Sequence, residues 1–215
     1  MKMEIRTVSE SAVVCLLPAP AELAKQQRLW AFAARVGQSD TVAETVTGMN
    51  NLTVFLHHGT DPETAAKELR RLWRDTAATE HEGRLVEIPV VYGGRFGEDL
   101  AEVAAFHQTT AAEIVKRHTA PVYTVFMMGF QPGFPYLGGL PENLHTPRRA
   151  TPRTEVPAGS VGIGGSQTGM YPFASPGGWQ IIGRTSVALF DAQKQPPTLL
   201  AAGDRVRFRA ERIEK

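Results

Sequence analysis

Residues 129–185 read GFQPGFPYLGGLPENLHTPRRATPRTEVPAGSVGIGGSQTGMYPFASPGGWQIIGRT, and the predicted fold of the second half of the chain rests on this stretch. Residues 121–185 hold 12 of the 20 glycines and 9 of the 15 prolines. Short β-forming runs that are interrupted by glycine and proline are typical of short strands joined by tight turns. The stretch predicts an all-β unit, a barrel or a sandwich, with further strands at residues 122–128, 186–190 and 205–209.

The residues before this stretch alternate between predicted strands and predicted helices. Apolar and β-branched runs predict strands at residues 12–17, 41–47, 52–57 and 85–92, and amphipathic runs predict helices at residues 20–36 and from residue 62. The order β-α-β-β-α-β is that of the ferredoxin-like motif. We therefore predict an α+β chain, with a ferredoxin-like α/β sandwich over residues 1–84 and a β unit over residues 85–215.

Capping residues mark two helix starts. Asp61, Pro62 and Glu63 offer a cap, an early proline and an acidic first turn. Thr110 and Glu113 have the spacing of a capping box. The signal at Thr110, together with a short helix predicted at residues 99–106, predicts two short helices before the strand at residues 122–128.

The composition excludes several classes of protein. Lys plus Arg is 23 and Asp plus Glu is 22, so the net charge of +1 does not favour nucleic acid or an anionic membrane as a partner. The single cysteine, Cys15, forms no intrachain disulfide, is expected to be buried, and favours a reducing, cytoplasmic location. The apolar run around it is too short for a membrane span. The six histidines lack metal-ligand spacing, so no metal site is expected.

Common nucleotide and nucleophile motifs are missing from the sequence. Residues 164–169 are followed by Met170 where a P-loop requires lysine. Gln167 stands where a dinucleotide fingerprint requires glycine, and Thr168 stands where a nucleophile elbow requires glycine. The sequence therefore shows no motif that would bind ATP by itself.

Four arginines make the glycine- and proline-rich stretch a candidate anion site. They are Arg148, Arg149, Arg153 and Arg184, and Glu142 and Glu155 are the nearby acids in the sequence. Unpaired guanidinium groups bind carboxylate or phosphate, and stiff loops lose little entropy on binding. The alternative is that glycine and proline serve only the turns, with Phe134, Trp179 and Ile181 as core residues and Arg149 solvated. His107 and His118 are expected to be surface or capping residues.

The chain resembles the allophanate hydrolase subunit 1 family, also described as the kinase-inhibitor family. The motifs that carry the resemblance are TGMNNLTVFL at 47–56, VEIPVVYGGRFGEDL at 86–100, FMMGFQPGFPYLGGLP at 126–141, TPRRATPRTEVPAGSVGIGGSQTGMYP at 146–172, SPGGWQIIGRT at 175–185 and LLAAGDRVRF at 199–208. The resemblance covers essentially the whole chain. One departure is Glu98, where the family usually has proline.

The resemblance implies a cyclophilin-like β-barrel for the second unit and a role inside an assembly. It implies a homologous larger subunit and a third subunit, which together with this chain open 5-oxo-L-proline to L-glutamate with hydrolysis of ATP. ATP is then expected at a subunit interface or on a partner. The alternatives are an inhibitor of a sensor histidine kinase and a subunit of an allophanate or urea amidolyase-type enzyme.

The reaction suggests roles for the polar residues of the stretch. Opening an activated lactam needs cations near phosphate and a clamp on the substrate carboxylate. The catalytic candidates are Arg148, Arg153, Gln167 and His145, with His145 as the general base. The substrate-binding candidates are Gln131, Tyr136, Ser160, Tyr171 and Arg184.

Overall fold

The computed structural model describes residues 2–214, which divide into two units. The first unit ends at His81 and the second begins at Glu82. None of the helices within residues 2–214 is both long enough and apolar enough to cross a membrane.

The first unit is a four-stranded antiparallel sheet with two helices. Its elements are β1 (Glu4–Ser9), β2 (Ala12–Leu16), α1 (Leu23–Val36), β3 (Val42–Thr47), β4 (Asn51–Leu56) and α2 (Pro62–Arg74). The strand order is β1-β2-β4-β3. The inner sheet face and the helices share one apolar core, in which Leu29, Phe32, Leu52 and Val54 are fully buried.

The predicted β-α-β-β-α-β order is wrong for this unit. The strand expected at residues 85–92 does not join this sheet, because it pairs with strands of the second unit. The edge of the sheet that the ferredoxin-like order gives to that strand is occupied by β1. This strand precedes the first predicted strand and pairs with β2. Cys15 lies on β2 and is buried as expected, and this burial raises the pKa of its thiol to about 12.

The second unit is built around a closed barrel. Its elements are β5 (Leu85–Gly93), α3 (Leu100–Phe106), α4 (Ala111–Thr119), β6 (Tyr123–Met128), β7 (Pro135–Gly138), β8 (Arg153–Val156), β9 (Ser160–Gly164), β10 (Gln167–Met170), β11 (Ser175–Gly177), β12 (Gln180–Arg184) and β13 (Arg205–Glu214). The barrel order is β10-β7-β6-β13-β5-β12-β9, and β8 and β11 form a separate pair. Short 3₁₀ turns lie at Gly94–Phe96 and Glu142–Leu144.

The last strand closes the barrel. β13 runs parallel to β5, from the pair Arg205–Leu85 to the pair Glu214–Gly93, and antiparallel to β6. The strand predicted at residues 186–190 is wrong, because this segment makes only an isolated bridge from Phe190 to Thr198.

A buried histidine joins α4 to the barrel interior. His118 Nδ1 lies 2.9 Å from Tyr92 Oη, and its Nε2 lies 2.9 Å from Thr168 Oγ1. Thr168 donates its own proton to the carbonyl of Gly162, so it must accept from His118 Nε2–H. Nδ1 is then the acceptor for Tyr92. His118 is fully buried, so its expected surface or capping role is wrong; desolvation lowers its pKa to about 3.

Candidate functional site around the outer barrel face

Three of the outward positions of β9 and β10 are glycines, and Trp179 lies on them. Val161, Ile163 and Met170 point into the barrel core, so the alternation of a strand turns Gly162, Gly164 and Gly169 outward. A Cβ on Gly164 would lie 2.6 Å from Trp179 Cε2. The glycines of the GIGGSQTG sequence therefore let an indole ring lie directly on the sheet.

Trp179 is part of an aromatic cluster on this outer face, which we define as Phe134, Tyr136, Tyr171 and Trp179. The ring centroids of Phe134 and Tyr136 are 4.9 Å apart, and those of Phe134 and Trp179 are 5.5 Å apart. Phe134, Trp179 and the neighbouring Ile181 are buried, as the core interpretation predicted. Burial raises the pKa of both tyrosines, so their phenols stay protonated at neutral pH.

Phe130 extends the cluster towards solvent. Its side chain is 60% exposed and lies 5.4 Å from the Phe134 ring. Its φ of 66° is in the left-handed region, where bulky residues are rare. Next to it, Gln131 is half-buried and its Oε1 has no partner among the described residues.

Asp99 is a buried carboxylate that holds two of the predicted arginines. Its oxygens accept from Arg153 Nη1 and Nη2 at 2.9 and 2.8 Å and from Arg149 Nη1 at 2.7 Å. They also accept from the backbone N–H of Ile181 at 2.6 Å. The expectations that Arg153 is unpaired and that Arg149 is solvated are therefore wrong. The hydrogen bonds to Asp99 are also the main cause that raises the pKa of Arg153.

Arg148 is held differently from these two arginines. Its side chain is exposed, and within residues 2–214 no carboxylate lies within 4 Å of it. Its guanidinium carbon lies 5.9 Å from the Trp179 ring centroid, a cation–π arrangement. Arg148 is thus a positive charge that is positioned by packing and left available for an anion.

Arg148 lies in a surface groove of about 520 Å³. Its walls are Glu102 and Phe106 on α3, residues 146–151 and Gln180. Gln180 Nε2 donates to the carbonyl of Pro147, and Thr146 pairs with Gly165, which fixes the loop over the sheet. The volume lies within the range of small-molecule sites, about 300–1,000 Å³.

The other predicted site residues lie apart from this groove or have structural partners. Ser160 on β9 and Arg184 on β12 are paired and lie on the outer barrel face. Ser160 is buried and Arg184 is half-buried. Gln167 is half-buried at the start of β10. His145 lies within hydrogen-bonding distance of the Leu140 carbonyl, 3.1 Å from its Nε2. Since a carbonyl only accepts, this bond puts the histidine proton on Nε2.

Sequence reasoning missed Asp99 and Gln180. The sequence predicts only a helix start at Asp99, because its arginine partners lie 50 and 54 residues away in the chain.

No cluster of three His, Cys, Asp or Glu residues with metal-binding geometry occurs in the described part of the chain.

Comparison with known proteins places this architecture in a family. Residues 3–200 match the family described as carboxyltransferase domain, subdomain C and D. The chain is 59% identical to the B subunit of 5-oxoprolinase from Haemophilus influenzae over 212 residues, which cover 99% of this chain and 100% of that protein.

Two solved structures share the fold. TTHA0988 is 33% identical with a TM-score of 0.77, and the match covers 96% of this chain and 40% of that longer chain. The K. lactis urea amidolyase is 17% identical with a TM-score of 0.80, and the match covers 97% of this chain and 15% of that chain. With nearly its whole length matched, the chain belongs to the carboxyltransferase domain, subdomain C and D, family.

Proposed function

We propose that the chain is the B subunit of an ATP-dependent 5-oxoprolinase, which hydrolyses 5-oxo-L-proline to L-glutamate. The observation that carries this proposal is the 59% identity to the B subunit of the Haemophilus influenzae 5-oxoprolinase over that protein's full length. At such identity an orthologous role is the simplest explanation. The kinase-inhibitor and urea amidolyase alternatives have no comparable support.

The proposal includes two partners, a homologous larger subunit and a third subunit. The word "subunit" in the name of the relative supports an assembly. In TTHA0988 the matching region makes up 40% of a longer chain, so the same fold occurs covalently joined to further protein. We propose that this chain contacts its larger partner in such an assembly, and that the assembly works in the cytoplasm.

ATP is proposed to bind at a subunit interface or on a partner. The basis is the sequence, in which Met170 replaces the lysine that a P-loop needs. Arg149 and Arg153 already bind Asp99, so neither is a free cation for the phosphates.

Arg148 is proposed to bind the carboxylate of 5-oxoproline. It is exposed, lacks an acidic partner among the described residues, and lies in the groove against Trp179. A guanidinium binds carboxylate through two parallel hydrogen bonds, and stacking on an indole limits its motion before the substrate arrives. Gln131 and Gln167 are proposed to orient the amide. Tyr171 is proposed to form a wall of the site or to donate a proton, and Tyr136 to contact the substrate.

Reconstitution tests the subunit assignment. The purified chain is mixed with its two partner subunits, and ATP-dependent release of glutamate from 5-oxoproline is measured with each component omitted in turn. We expect activity from the complete mixture and none without this chain. A complex that assembles but releases no glutamate would contradict the proposed substrate.

Substitution of Arg148 tests the carboxylate site. We expect Arg148→Gln to lower kcat/KM for 5-oxoproline by about 100-fold, since a charge-assisted bidentate contact contributes roughly 2–3 kcal/mol. Arg209→Gln is the matched control, because Arg209 is an exposed arginine on β13 that lies 3.8 Å from Glu211. If the two variants have equal kcat/KM in assembled complexes, Arg148 does not bind the substrate.

A further inference from the structure

A second, smaller cavity lies next to Arg153, one of the two arginines that bind Asp99. It has a volume of about 120 Å³ and is lined by Arg95, Phe96, Arg153, Glu155 and Arg184 among others. Arg149 faces the groove and Arg153 faces this cavity, while both bind the same buried carboxylate. The two spaces therefore have different linings.

Three guanidinium groups converge on the ring of Phe96. Their carbons lie 4.8 Å (Arg95), 5.5 Å (Arg184) and 5.8 Å (Arg212) from its centroid. Arg212 is neutralised by Glu214, which accepts from it at 2.9 Å. Within the described part of the chain, Arg95 and Arg184 have no carboxylate within 4 Å. Two positive charges next to one ring repel each other. An anion bound between them would offset this repulsion.

Arg184 is the more enclosed of the two uncompensated arginines. Its Nε is buried and has no acceptor among residues 2–214. The same holds for the buried hydroxyl of Ser160, at the paired position of β9. Gly159, with a φ of 79°, lies against the backbone carbonyl of Thr185, and a Cβ there would also lie 3.3 Å from Arg184 Cγ. Turning this guanidinium towards a ligand therefore costs no existing hydrogen bond.

We propose that this cavity is a binding site for a compact oxyanion, a phosphate or a small carboxylate, held by Arg184 and Arg95. Sites for drug-sized molecules occupy about 300–1,000 Å³, so the 120 Å³ here suits a group of phosphate size rather than a nucleoside. Planar guanidinium forks match both oxyanions.

Two carboxylates in the lining limit the affinity. Glu98 accepts a hydrogen bond from Arg153 Nη2 at 3.3 Å, so its charge is already paired. Glu155 has no cation within 4 Å among the described residues and repels an incoming anion. The sum of three lining arginines and two lining glutamates leaves one net positive charge. We therefore expect weak binding, with a Kd on the order of 1 mM.

Titration of the full chain with inorganic phosphate tests the site. Binding is followed by amide NMR at low ionic strength. Parallel titrations with 5-oxoproline and acetate test whether the site binds a carboxylate. We expect one phosphate per chain, with the largest shifts at Phe96 and Arg184. Arg184→Gln should weaken binding by about tenfold or more, because it removes a charge-assisted donor pair. Glu155→Gln should strengthen binding several-fold, roughly the effect of removing one nearby like charge.

Arg212→Gln is the matched control, because Arg212 stacks on the same ring but is paired with Glu214. It should leave the affinity unchanged. If Arg184→Gln does not give a folded spectrum, Arg95→Gln, at an exposed position, decides the question. Preference for a carboxylate over phosphate identifies the oxyanion. No saturable binding of any anion, or equal binding by all variants, would overturn the proposal. These outcomes do not depend on glutamate release, so this site and the proposed function fail independently.

Discussion

At the scale of single residues, Asp99 sets the position of the loop that carries Arg148. Its carboxylate binds Arg149 and Arg153 as well as the backbone of Ile181. These partners come from the loop, from β8 and from β12, so one buried charge joins three segments. Its neighbours Glu98 and Glu102 are exposed and contribute less to the same arginines.

Asp99→Asn tests this arrangement. The amide leaves two partly buried arginines without their common counter-charge, so we expect a loss of about 3–5 kcal/mol in the free energy of unfolding. Denaturant unfolding measures the change. Glu98→Gln is the control, and should cost less than about 1 kcal/mol, because the Glu98 side chain is 58% exposed. A similar loss in both variants would show that Asp99 is not the main support of the loop.

Sequence reasoning found the arginines of this site but not their partner. Composition and spacing indicated a cationic, glycine-rich surface, and Arg148 remains a free cation there. Arg153 and Asp99 are separated by 54 residues, and pairing at that distance depends on barrel closure. No local pattern around Asp99 indicates a buried ion pair.

At the scale of elements, the glycines of β9 and β10 form a flat surface for one ring. Trp179 is 4% exposed and lies where side chains at Gly164 and Gly169 would otherwise stand. The glycine-rich motif therefore has a packing role first, and it positions Arg148 through the indole.

Gly164→Ala should displace Trp179. The added Cβ would overlap the indole, and overpacking of this kind costs about 1–3 kcal/mol. We expect a lower melting temperature and a red-shifted emission from Trp179, the tryptophan of the second unit. Gly165→Asn is the matched control, since a Cβ at Gly165 meets no atom within 4 Å and asparagine tolerates its φ of 66°. Unchanged emission in Gly164→Ala would contradict the packing role.

Elements with local signals were predicted well, and those that depend on distant pairing were not. Asp61 caps α2 through the N–H of Thr64, and Thr110 caps α4 through the N–H of Glu113, as their spacing indicated. β1 was missed because five of its six residues are exposed and show no apolar alternation. Residues 85–92 form a strand as predicted, but no local feature shows which sheet a strand joins.

At the scale of the whole molecule, the barrel encloses a histidine that must stay neutral. His118 accepts from Tyr92 and donates to Thr168 in the interior. Its pKa falls from 6.5 to about 3 because burial penalises the charged form. Between pH 6.5 and pH 3, His118 is protonated in the unfolded chain but neutral in the native chain. Stability is therefore full above pH 6.5 and is lost as the pH falls towards 3.

Comparison of the wild type with His118→Gln isolates this effect. We expect the wild type to lose up to about 1.4 kcal/mol of unfolding free energy per pH unit more than the variant between pH 6 and pH 4. Denaturant unfolding at a series of pH values measures the slope. His57→Gln, at an exposed histidine, should keep the wild-type slope. Parallel slopes for wild type and His118→Gln would mean that folding does not lower the pKa of His118, which would contradict its neutral state in the folded protein.

The parallel pairing of β13 with β5 also affects how the protein is made. β5 is the first strand of the second unit and β13 the last, and the two are neighbours in the barrel. During translation β5 leaves the ribosome more than a hundred residues before its partner exists. The first unit has all its strands by Leu56 and its second helix by Arg74. Synthesis therefore separates the two units in time: all elements of the first unit are made early, while the barrel of the second unit cannot close until residues 205–214 have been made.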